Sequence, residues 1–114
     1  MSGSGSSSYY TSDSDGGSPQ DDCLTLIERV YLSSPDAAVV AKIEPKTILE
    51  VSLTQSGTVT LLQAITEEGE IAGSLIPKSM AKLIRCITAE GVSYIAIVLE
   101  KHGGAVQLEI RPKP

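Results

Sequence analysis

The chain contains no phenylalanine and no tryptophan, and its four tyrosines are its only aromatic residues. A core without large rings has to be assembled from Ile, Leu, Val and Ala, and the crowding of β-branched residues towards the C-terminus favours strands. Positive charge is also in short supply. The formal net charge is −5 over 114 residues, which excludes the broad basic footprint of a duplex-binding protein and leaves room only for a local stripe. Histidine occurs once and cysteine twice. These are too few for a metal site or a disulfide framework, so Cys23 and Cys86 read as free thiols in a reducing compartment. No apolar run is long enough to cross a membrane. The N-terminus has neither the basic start nor the apolar stretch of a secretory signal, and the expected location is the cytoplasm.

What the chain does contain is unevenly spread. Residues 1–22, "MSGSGSSSYYTSDSDGGSPQDD", are dominated by Ser, Gly and Asp and hold no Lys or Arg. Such a segment buries too little apolar area to offset the entropy of ordering it, and a disordered tail is expected. Residues 23–112 then form one domain, since this length supports a single core.

Within that domain "LTLIERVYL" (24–32) reads as a strand. Ser34 as cap and Pro35 at the first helical position predict a short helix over 35–43, ending before Glu44-Pro45. "TILEVSLT" (47–54) alternates with period two, placing Leu49, Val51 and Leu53 on its buried face. The turn "QSG" leads to a second strand, "TVTLLQAIT" (58–66), with Val59, Leu61 and Ile65 on one face. "EEG" leads to a third, "EIAGSLI" (70–76), so three strands form a meander. Gly73 inside the last marks a bend or a close approach. Met80, Leu83, Ile84 and Ile87 then recur at helical spacing, predicting a helix over 78–90 that Gly91 ends. "VSYIAIVLEK" (92–101), the turn "HGG" and "AVQLEIRP" (105–112) make a hairpin, with Val106, Leu108 and Ile110 inward. The expected fold is mainly β with α+β character: a small six-stranded antiparallel barrel of OB- or SH3-like size, stoppered by its helix.

The stretch from about Lys46 to Ile110 resembles the HIRAN domain. The likeness is carried by the glycine-containing strand "GEIAGSLIP" that ends in proline, the helix "KSMAKLIRCITAEG" that follows at once, and the hairpin "YIAIVLEKHGGAVQLEI". It implies a small β-barrel and, because HIRAN domains of replication-fork remodelling enzymes bind the 3′ end of single-stranded DNA, a nucleic-acid ligand. A generic oligonucleotide-binding barrel is the alternative architecture.

The chemistry of the side chains points away from catalysis. His102 is the single histidine and sits in a turn with no nucleophile motif nearby. Glu67, Glu68 and Glu70 surround a turn glycine and read as a solvated acidic loop. No glycine loop cradles a phosphate, and neither a cofactor nor a metal is expected. The basic residues are more informative. Lys78, Lys82 and Arg85 fall on one edge of the second helix, where they can meet two or three phosphates beside the positive helix N-terminus; Lys42 and Lys46 extend the patch if the fold brings them near. The expected function is therefore that of a non-enzymatic binding module for single-stranded nucleic acid. The alternative is an accessory domain that binds protein, its edge near 105–111 being open to a partner strand.

Overall fold

The computed structural model describes residues 19–114. Its elements are α1 (Pro19–Leu24), β1 (Glu28–Tyr31), α2 (Ala37–Val40), β2 (Ile48–Ser56), β3 (Val59–Ile65), β4 (Ile71–Leu75), α3 (Met80–Thr88), β5 (Tyr94–His102) and β6 (Ala105–Pro112). The six strands form one sheet in the order β1-β6-β5-β2-β3-β4, with every neighbouring pair antiparallel.

Three turns are built where glycine permits a left-handed backbone, at Gly57, Gly69 and Gly103. The inner face is aliphatic. Leu49, Leu62, Ala64, Val98, Val106, Leu108 and Ile110 are essentially inaccessible there, and each fully buried branched side chain contributes roughly 1.5–3 kcal/mol. In β3 it is Leu62 and Ala64 that point inward, while Val59, Leu61 and Ile65 face out. The apolar residues of that strand sit on both parities, so alternation alone selects the wrong face, and pairing of Leu62 with Leu53 and Ala64 with Val51 decides it.

The barrel expected from the sequence is a six-stranded sheet whose outer strands, β1 and β4, meet without forming a ladder. Just past β1, Ser33 exchanges two backbone hydrogen bonds with Ser74, both of 2.8 Å. Ser33 and Ser74 form the single bridge there, so the sheet is rolled but not closed. Gly73 makes this approach possible: a β-carbon there would lie 2.7 Å from Leu32 Cγ and 2.9 Å from the Ser33 carbonyl oxygen.

Several local expectations are corrected. The disordered segment expected through residue 22 is helical from Pro19 onward; the remainder, residues 1–18, lies outside the described residues. The helix expected over 35–43 is the single turn of α2, capped by the Asp36 carboxylate, which accepts from the N–H groups of Ala38 and Val39 (3.0 and 3.1 Å). Ser34 instead adopts a positive φ of 48°. The second helix occupies Met80–Thr88 and buries Leu83 and Cys86 completely, with Met80 and Ile87 packed against the core. Residues 105–111 are no sheet edge, because β6 lies between β1 and β5.

The two cysteines are not free. Cys23 and Cys86 form a disulfide that ties α1 to α3, and both residues are wholly buried. Their separation of 63 residues follows no motif, which is why sequence spacing gave no sign of the bond.

Candidate functional site

Lys78 lies just before α3, and Lys82 and Arg85 follow on the helix; all three are exposed. Lys82 and Arg85, three residues apart on the helix, share one face. The helix N-terminus beside them is already occupied. Ser79 stands at the cap position but makes no side-chain cap. The carboxylate of Glu28, brought from β1, accepts hydrogen bonds from the backbone N–H groups of Lys78 and of Ser79, the latter at 3.2 Å. It satisfies donors that a helix start leaves open and places a negative charge where a phosphate was expected.

That contact also defines the seam between the two outer strands. Ser33 opposes Ser74 in the one bridge of this seam, and the Glu28 carboxylate reaches the N–H of Ser79 farther along it. Tyr31 is 64% exposed and Ile76 67%, and the Arg29 side chain, 3.6 Å from Glu109, is largely in solvent. An aromatic ring and an aliphatic side chain thus stand exposed to solvent.

Lys42 and Lys46 lie elsewhere. They line an open cleft of about 730 Å³ between the start of β2 and the β3–β4 turn, which none of Lys78, Lys82 or Arg85 reaches. Lys42 Nζ donates to both carboxylate oxygens of Glu70, at 2.7 and 2.8 Å, and this hydrogen bond holds its pKa above the ordinary lysine range. Lys46 has a φ of 79° and shares the cleft with Lys113, Glu50, Glu67 and Glu68 above Ile48, Ile65 and Ile95. The fold therefore separates the five expected basic residues into a stripe of three and a mixed-charge cleft holding the other two.

Among the described residues no group of three or more His, Cys, Asp or Glu side chains is placed to hold a metal. His102 is exposed, with Nε2 3.1 Å from Glu100 Oε1. Behind α3, the buried Tyr94 hydroxyl donates to the Cys23 carbonyl at 2.6 Å. Burial raises the Tyr94 pKa, opposed by the positive charge of Arg85.

Sequence reasoning missed Glu28 and Tyr31. The alternation in "ERVYL" separates Arg29 and Tyr31 from Val30, but nothing local indicates that this strand lies against residues 74–79. Comparison of the chain with protein-family models, curated proteins and solved structures gives no match.

Proposed function

We propose that the chain is a non-catalytic, HIRAN-like binding module that holds single-stranded nucleic acid along the β1–β4 seam and the basic edge of α3. One observation carries the reading: the exposed Tyr31 lies on β1, the strand whose Glu28 binds the Lys78 N–H, and Lys82 and Arg85 are exposed on the helix that follows. Single strands are held by stacking on aromatic faces combined with cations that follow the backbone. The aromatic of the HIRAN-like stretch, Tyr94, is buried, so Tyr31 supplies the exposed ring. The net charge of −5 favours a short ligand over a duplex.

The test is fluorescence-anisotropy titration of a labelled oligothymidine at low ionic strength. Binding should weaken with salt at a log–log slope of roughly −2, as three phosphate contacts on a single strand require. Tyr31→Ala should lower affinity about 10-fold, within the range of a lost stacking contact, and a K78E/K82E/R85E variant should abolish binding. No binding at low salt, or binding indifferent to all four residues, overturns the proposal.

A second reading, docking of a protein, is favoured by the cleft, where Ile48 is 59% exposed among lysines and glutamates. No helix among the described residues is long and apolar enough to cross a membrane. The cytoplasmic placement that accompanies the nucleic-acid reading was expected from the lack of a signal and of a membrane-length apolar run as well as from free thiols. With Cys23 and Cys86 joined, that placement requires a disulfide that responds to redox conditions.

A further inference from the structure

We infer that the Cys23–Cys86 bond is a redox latch: oxidised, it pins α1 onto α3; reduced, it releases α1 while the six-stranded sheet stays folded. The anatomy of α1 carries this. It has six residues, far too few for a helix to persist alone. It lies outside the sheet, and no strand pairing passes through it. Among the described residues, the disulfide to Cys86 and the hydrogen bond from the Tyr94 hydroxyl to the Cys23 carbonyl join it to the rest of the fold, and it touches α3 and β6. By contrast, α3 keeps independent anchors in Leu83, in the Glu28 cap and in the turn at Gly91, after which the Val92 N–H returns to the Cys86 carbonyl at 3.0 Å. Breaking the bond therefore deprives α1 of its covalent tether but leaves α3 seated.

The reaction is thiol–disulfide exchange with a dithiol as reductant. One thiolate attacks a sulfur of the bridge and forms a mixed disulfide. The second thiol then closes the dithiol into its own disulfide, so two electrons and two protons pass to Cys23 and Cys86. Both cysteines are fully buried, so the attacking thiolate reaches sulfur only when α1 opens locally, and that opening sets the rate. The inference goes beyond nucleic-acid binding and does not depend on it.

The test compares the full chain in oxidised and dithiol-reduced forms. Denatured oxidised protein should show no titratable thiol, and reduced protein should show both cysteines of the chain. Backbone ¹⁵N order parameters for residues 20–24 should fall below about 0.6 on reduction while those of the strands stay near 0.85. The thermal midpoint should drop by about 20 °C, the shift that loss of a long-loop cross-link produces in a domain of this size. A Cys23→Ser variant should match the reduced wild type in its order parameters and thermal midpoint, and should show the single thiol of Cys86. Free thiols after equilibration with oxidised glutathione overturn the latch. So does an ordered α1 after reduction, or loss of the whole sheet along with it.

Discussion

Gly73 shows how much of this fold rests on the absence of one carbon. It was read from the sequence as a bend or a close approach, and the structure shows the approach: Leu32 and the Ser33 carbonyl occupy the space a side chain would fill. The neighbouring backbone cannot yield without loosening the Ser33–Ser74 bridge. Gly73→Ala should cost about 1–3 kcal/mol, as overpacking of a tight site does, read as a lower urea midpoint with an unchanged slope. An unchanged midpoint would mean that the seam is looser than it looks. Gly57, with open space around it, matters only for its turn conformation.

At the scale of elements, α3 is the clearest case of a long-range contact completing a local one. Its first N–H groups are capped by Glu28, some 50 residues earlier in the chain. Glu28→Ala should cost about 0.5–2 kcal/mol, the usual penalty for a lost cap, measured by chemical denaturation. On the proposed function it should also tighten oligonucleotide binding, because it frees two donors and removes a negative charge beside Lys78; weaker binding by a folded variant would count against that interface. The helix itself was legible, since Met80, Leu83 and Ile87 repeat at its period and Gly91 ends it. The meander and the hairpin were legible for the same reason: their alternation and their turns are local. The disulfide, the α1 helix and the Glu28 cap were not, because each is decided by a partner distant in sequence; the inward face of β3 was not, because its apolar residues sit on both parities. The stripe of Lys78, Lys82 and Arg85 could be read from helical spacing, whereas separation of Lys42 and Lys46 from it depends on where the β3–β4 turn places Glu70.

For the molecule as a whole, the strand order has a consequence in time. β1 pairs laterally with β6, Glu28 opposite Ile110 and Tyr31 opposite Gln107, so during synthesis the first strand waits for the last before it can dock. The β2–β3–β4 meander needs no such delay, and low sequence separation favours its early formation. Val30, buried on β1, should therefore be silent in the folding transition state. Val30→Ala should speed unfolding and leave the folding rate nearly unchanged, provided that it destabilises by more than roughly 0.6 kcal/mol. A slowed folding limb in stopped-flow kinetics would contradict this order of events. A nascent chain still lacking residues 105–112 holds β5 and β1 with bare backbone along the flank that β6 will fill, so in the interval before that strand leaves the ribosome the domain is at its most vulnerable to mispairing with a neighbouring copy.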